Sequence, residues 1–298
     1  MDIFGFGLAL SAMVLFGLYM VPRKLSGLRD FDFVLTMCVG AVLATQVARL
    51  LAHGTQPPST NSYAVVLSFS CGPIWSLGIL FYTLSVSQMG LALATPIKNT
   101  TAVLGTIFGL AIFAEWQQTN AALALIGSVL VVLCAVVLAR CGEREQQRSF
   151  VTPLGVMYAL LAAVFFAGYT IPLKLAQAEG VDSYSFMAYM GLGTLVGGAT
   201  LFGVFSRHRR RWLRASPGDH LFAILAGVIW ACATIVMTQA IARIGLAVTW
   251  PVTNLNTIVT VAAGILVFRE VDVRKFRGTI ALAMLLAILG STLLGLAK

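Results

Sequence analysis

A chain of 298 residues with 59% apolar and only 10% charged side chains cannot clothe a water-soluble surface, for which roughly 25% charge is ordinary. The surplus apolar side chains have to face lipid. The net charge of +9 does not make the chain a nucleic-acid binder, because its basic residues sit in short loops between apolar runs and form no continuous basic face. The expected partners are membrane lipid and a small-molecule solute, with no nucleic acid.

A bilayer core of about 30 Å takes roughly 20 apolar residues per helix. In chain order, the apolar runs predict spans near 3–22, 31–51, 63–87, 91–113, 120–139, 152–173, 184–205, 220–241, 246–268 and 276–297. The start, Met1-Asp2-Ile3-Phe4, lacks the basic segment of a secretory signal, so the first run is expected to be a retained helix. The boundaries are marked by the polar stretch 55–62, the run 141–149 and the basic cluster 207–214. The weakest boundary is Ser87-Gln88-Met89-Gly90. The expected fold class is therefore an all-α integral membrane protein with ten transmembrane helices.

Charge sorts between the two sides of these spans. Fifteen lysines and arginines lie in loops after odd-numbered spans, among them Arg23, Arg140, Arg144, Arg148, Arg207, Arg211 and Arg269. Only Arg49, Lys174, Arg243 and Lys298 lie opposite. Positive charge stays on the cytoplasmic side, which predicts a cytoplasmic (inner) membrane protein with both termini outside.

The two halves of the sequence match. At an offset of 150, Phe16, Tyr19, Pro22, Lys24 and Leu25 recur as Phe166, Tyr169, Pro172, Lys174 and Leu175. At an offset of 155, Trp75, Gly90, Pro96, Asn99, Gly109 and Glu115 recur as Trp230, Gly245, Pro251, Asn254, Gly264 and Glu270. Two repeats, 1–145 and 146–298, are expected. Five helices in each force the second copy to enter the membrane from the opposite side, and inverted repeats are a recurring plan of secondary transporters.

On these residues the chain resembles the drug/metabolite transporter superfamily, of the EamA-like ten-helix type. Pro22–Lys24 followed by Phe31-Asp32-Phe33 is most similar to the glucose/ribose uptake-like branch. In that superfamily each repeat carries an aromatic–glycine pair in its first helix and a glycine–glutamate pair closing its fourth. Phe16-Gly17 matches the first; Glu115 and Glu270 match the second, with Ala114 and Arg269 in place of glycine. The resemblance implies that helices 1–4 and 6–9 line a pathway, and that helices 5 and 10 lie at the periphery, where they could join a homodimer.

The candidate substrate-binding residues are Lys98, Asn99, Tyr82, Trp250, Asn254, Asn256 and Thr95. Lys98 is the sole ionisable residue well inside a predicted span, and such residues face a cavity or a partner unless the chain snorkels to the interface. Asn99, Asn254, Asn256 and Thr95 offer uncharged donors and acceptors suited to hydroxyl-rich ligands, although ordinary interhelical contacts use the same side chains. Tyr82 and Trp250 could stack on a sugar ring, as could Trp75 and Trp230. Tyr19 and Tyr169 close their helices and are expected to be interfacial anchors. Pro96, Pro251, Pro22 and Pro172 are the expected gating or helix-distorting positions, since proline removes a backbone donor.

No histidine, cysteine and carboxylate set has metal-ligand spacing, no nucleophile–base pair is evident, and the odd number of cysteines argues against a disulfide framework. No catalytic residue, metal or cofactor is expected, and the chain is not expected to be an enzyme. The expected function is a secondary carrier of a small polar metabolite, a sugar or polyol, working by alternating access. Two alternatives stand beside it: an exporter of amino acids or related organic acids, and a non-transporting membrane scaffold or lipid-handling protein.

Overall fold

The computed structural model describes residues 2–55, 61–89, 91–143, 152–205, 212–266 and 273–298. Among the described residues the chain is helical, without strands. The helices are α1 (Ile3–Leu18), α2 (Val21–Leu25), α3 (Asp30–His53), α4 (Ser62–Met89), α5 (Leu91–Lys98), α6 (Thr101–Ala111) and α7 (Ala121–Glu143), with a 3₁₀ turn at Glu115–Gln117. The second half gives α8 (Pro153–Gly168), α9 (Thr170–Ala178), α10 (Ser183–Phe205), α11 (Pro217–Ile244), α12 (Leu246–Asn254), α13 (Asn256–Leu266) and α14 (Val273–Leu296).

Among the described residues, eight stretches are long and apolar enough to cross a membrane: Ile3–Arg23, Asp30–His53, Ser62–Met89, Ala121–Leu138, Pro153–Ala178, Ser183–Phe205, Pro217–Ile244 and Phe276–Leu296. The chain is a multi-pass, all-helical membrane protein. The spans expected at 91–113 and 246–268 are not continuous helices: the first breaks at Asn99-Thr100 and the second at Leu255. Residues 267 and 268, Glu270, Gly90 and the basic residues at 144, 148, 207, 209–211 and 269 lie outside the described residues.

Most long helices start on a polar side chain that accepts an otherwise orphaned first-turn N–H. The pairs are Asp2 with Gly5 at 2.9 Å, Asn61 with Ala64 at 2.7 Å, Asn120 with Leu123 at 3.2 Å, Thr152 with Gly155 at 3.0 Å, Asp182 with Tyr184 at 2.9 Å and Ser216 with Gly218 at 3.2 Å. Such caps contribute typically about 1 kcal/mol each. The short helices α2, α6, α9 and α12 have no cap from their own N-cap side chain. At α2, α6 and α9 first-turn N–H groups find nearby main-chain carbonyls, as Arg23 does at Met20, Ala102 at Asn99 and Leu173 at Tyr169; α12 is served from elsewhere in the fold, by Glu115.

The chain forms two compact units, each drawing on both sequence halves. One unit comprises Met1–Leu18, Phe81–Ala167 and Val236–Lys298; the other comprises Tyr19–Leu80 and Gly168–Ile235. In the first, α7 and α14 lie side by side, α6 packs on α12, and α1 on α12 and α13. Gly127 and Gly290 set the approach of α7 and α14: a Cβ on Gly127 would sit 2.9 Å from the Gly290 carbonyl. These helices are the expected fifth and tenth spans. Gly17 works similarly, because Val259 and the Asn256 carbonyl fill the space of its missing Cβ, and Thr260 donates to the Gly17 carbonyl at 3.0 Å. Gly17 thus seats α1 on α13.

In the second unit α3 packs along α10. Gly72 abuts Thr194 and Gly193, and Gly40 abuts Ile224, so small residues bring backbones together as in other membrane bundles. Tyr169, expected at an interface, is 3% exposed and lies at the α8–α9 break, where Cys71 Sγ donates to its carbonyl. A ring fixed inside a bundle cannot anchor to headgroups, so that expectation fails for Tyr169.

Candidate functional site

The first unit gathers most of the sequence-predicted site residues. Lys98 ends α5 beside the Asn99-Thr100 break. It is 8% exposed, and its Nζ lies 5.6 Å from the ring centroid of Tyr82 and 5.9 Å from that of Phe166. Tyr82 OH and Thr95 Oγ1 share a hydrogen bond of 2.8 Å. Lys98 therefore sits between two aromatic faces, next to a hydroxyl pair. Cation–π contacts of this kind contribute about 0.5–2 kcal/mol, whereas a lysine at mid-helix depth costs at least ~2.5 kcal/mol. The rings alone do not offset its burial. Among the described residues no salt bridge to Lys98 is formed.

The second group forms where the two broken helices meet. The Asn99 amide donates to the Asn254 carbonyl at 3.2 Å and to Thr257 Oγ1 at 2.6 Å. Its Oδ1 is buried without a hydrogen-bond partner among the described residues. Trp250 Nε1 donates to Thr101 Oγ1 at 3.3 Å, and the indole occupies the space that a Cβ on Gly105 would need. Asn254 turns its own amide back to the Trp250 carbonyl at 2.8 Å. Asn256 is half-buried and contributes through its carbonyl, which accepts from Thr260 Oγ1 at 3.1 Å.

The breaks follow from backbone bookkeeping. Around Asn99 the N–H groups of Thr100, Ala102 and Val103 donate to carbonyls three residues back, and in the second half Leu255 and Ile258 do the same. The tighter 3₁₀ pattern replaces the α pattern for one turn. Pro251 has no N–H, so the Ala247 carbonyl, four residues earlier, loses its helical donor; Thr106 Oγ1 donates to it instead at 3.1 Å. Pro96 lies three residues before Asn99 and Pro251 three before Asn254, so each proline precedes a break by about one turn. Pro22 and Pro172 belong to the other unit; each lies three residues after the tyrosine at its break, Tyr19 or Tyr169.

Glu115 has a structural role. Its carboxylate accepts the N–H of Leu246 at 2.9 Å and of Ala247 at 2.8 Å, which caps α12 with a negative charge at the positive end of its dipole. Gly245 has φ +82°, and a Cβ there would press on the same carboxylate at 2.9 Å. The preceding residue, Ala114, has φ 51°, a left-handed conformation that glycine adopts freely and alanine does not. A glycine at position 114 would take that conformation without strain.

In the other unit Trp75 and Trp230, partners at the 155-residue offset, pack on each other with centroids 4.1 Å apart, 3% and 2% exposed. Neither lies in the unit that holds Lys98.

Sequence reasoning missed Phe166, Thr257 and Thr106. Phe166 was within reach as the repeat counterpart of Phe16. The threonines carried no signal, because their roles depend on which helix lies opposite.

The fold has a known counterpart. A solved crystal structure matches with a TM-score of 0.75 at 14% identity, over 99% of both chains, a likeness of fold. The chain is 21% identical over 261 residues to "Glucose uptake protein GlcU" of Bacillus subtilis, covering 87% of this chain and 88% of the relative. It is 22% identical over 303 residues to "Probable glucose uptake protein GlcU" of Priestia megaterium, covering 100% of each. The family model described as "Sugar transport protein" matches residues 8–297, and the chain belongs to that family.

Proposed function

We propose that this chain is a secondary carrier that moves a sugar or polyol across the cytoplasmic membrane by alternating access. It does so with ten transmembrane helices in two inverted five-helix repeats, 1–145 and 146–298, with both termini outside. The observation that carries the reading is the pair of broken helices, α5–α6 and α12–α13. They interrupt at matched positions of the two halves and are joined there by Asn99 and the Asn254 carbonyl. Discontinuous helices at corresponding places in two halves mark the binding region of secondary transporters, since an unwound turn frees backbone groups for a solute. Membership of the sugar transport family and the names of the glucose uptake relatives support a sugar as solute.

Lys98, Asn99, Tyr82, Thr95, Trp250, Asn254 and Asn256 are the proposed substrate contacts. Aromatic faces beside hydroxyls and amides are what a sugar ring requires: apolar C–H faces to stack and polar edges to pair. Pro96, Pro251, Pro22 and Pro172 set the breaks at which helix segments change direction. Local contacts support placing both termini on one side of the membrane. Asp2 pairs with Arg243 at 3.5 Å, and the Asn120 N–H donates to the Ala297 carbonyl at 2.8 Å; the charge rule puts all four residues outside. Glu115 is committed to capping α12, which speaks against proton symport through that carboxylate; passive uniport or exchange is the mode proposed. Helices α7 and α14 are the surfaces available to a homodimer.

The test is uptake into proteoliposomes loaded with purified protein, using labelled sugars, amino acids and nucleosides, with and without a pH gradient. Sugar equilibration without dependence on the gradient is expected. Flux of amino acids or nucleosides in place of sugars overturns the reading.

A further inference from the structure

We infer that the site around Lys98 takes a sugar bearing one carboxylate, a uronic or aldonic acid, in preference to the neutral sugar. The inference rests on the sugar-carrier reading and narrows its substrate class.

Three observations carry it. Lys98 is buried between the rings of Tyr82 and Phe166. The carboxylates of the same unit whose side chains are described, Asp2 and Glu115, are engaged elsewhere. Asp2 holds the Gly5 N–H and Arg243, and Glu115 holds the Leu246 and Ala247 N–H groups. A buried ammonium without an anion among the described side chains is a site awaiting its counter-charge. Finally, the surroundings of the ammonium are those of a sugar subsite rather than of a simple anion trap: two aromatic faces, 3% and 7% exposed, and the Tyr82–Thr95 hydroxyl pair at 2.8 Å.

Charge balance selects the class further. One ammonium neutralises one carboxylate, which leaves the occupied site without net charge. A phosphate ester brings close to two negative charges at neutral pH and would leave one uncompensated in a low-dielectric interior. A neutral aldose leaves the ammonium as it was. The carboxylate oxygen accepts from Lys98 Nζ, while the ring stacks on Tyr82 or Phe166 and its hydroxyls exchange with the Tyr82–Thr95 pair.

The experiment measures initial uptake by the purified full-length protein in proteoliposomes, with glucose, glucuronate, gluconate and glucose 6-phosphate. Each unlabelled compound also competes against labelled glucose. In the wild type the two sugar acids are expected to enter and to compete about tenfold more strongly than glucose itself, a factor that corresponds to roughly 1.4 kcal/mol. Lys98→Gln is expected to lower the ratio of sugar-acid to glucose uptake about tenfold, and Lys98→Arg to retain most of it. The wild-type competition needs no variant, so a poorly folding substitution does not blunt the test. Glucose flux that neither sugar acid inhibits overturns the inference and leaves the sugar carrier standing. Preference for the phosphate ester also overturns it. No flux of any of the four compounds overturns the inference together with the sugar-carrier reading.

Discussion

The side-chain amide of Asn99 donates to the main-chain carbonyl of Asn254, the residue that matches it 155 positions later. The two broken helices are thus tied to each other at their breaks, and the tie is asymmetric. Asn99 reaches across to Asn254 and Thr257, whereas the Asn254 amide folds back on its own helix at Trp250. Asn99→Ala is therefore expected to destabilise the protein by about 1–3 kcal/mol, because it leaves a buried carbonyl and hydroxyl short of a donor. Asn254→Ala should cost less. Thermal unfolding of the two variants in detergent measures the difference, and equal losses would sink the clasp.

Trp250 lies over Gly105 where a Cβ would have to be. Gly105→Ala forces the indole or the α6 backbone aside and should cost about 1–3 kcal/mol as an overpacked core does. Adding Trp250→Phe trims the ring and should recover part of that loss, so the double variant is less destabilised than the sum of the singles. Additive losses in a double-mutant cycle would mean that the two residues are not in contact.

The left-handed backbone at Ala114, φ 51°, offers a stabilising change. Alanine in this conformation carries about 1–2 kcal/mol of strain. Ala114→Gly relieves it, offset in part by the larger freedom of glycine in the unfolded chain. A net gain of about 0.5–1 kcal/mol is expected, read as a raised melting temperature with unchanged uptake. A lower melting temperature would contradict the assigned conformation.

Glu115→Ala removes both acceptors at the start of α12 and should cost about 1–2 kcal/mol in stability. If Glu115 were a proton-coupling residue, Glu115→Gln would change how uptake responds to a pH gradient. The capping role predicts no such change, and transport with and without the gradient decides between them.

On the other unit, burial raises the Asp182 carboxyl, but hydrogen bonds from Ser185, His53 and Tyr184 more than counter it and hold the group below its ordinary 3.8. A depressed carboxyl contributes stability above its unfolded value and loses it as pH falls through the folded value. Asp182 pairs with His53 at 3.0 Å, and the loss should appear below pH 3.8. Asp182→Asn should flatten that acid limb. A melting curve followed down through this range checks the sign, and an unaltered limb in the variant would reject the assignment.

The sequence by itself determined the membrane class, the place of nearly every long helix and the sorting of charge. Lipid imposes those features on any chain: apolar runs of about 20 residues must form helices because no water satisfies their backbone, and charge must stay at the ends. It also marked both broken helices, since a proline withdraws its N–H wherever the chain goes. Only the tertiary structure decided that the breaks fall at Asn99-Thr100 and Leu255. It alone brought Phe166 to Lys98, let Thr106 answer the carbonyl that Pro251 orphans, and turned Glu115 into the cap of α12. Each of these contacts joins residues 68 to 141 positions apart, and hydrogen-bond complementarity over such separations depends on which helices pack together. No local pattern of residues encodes that.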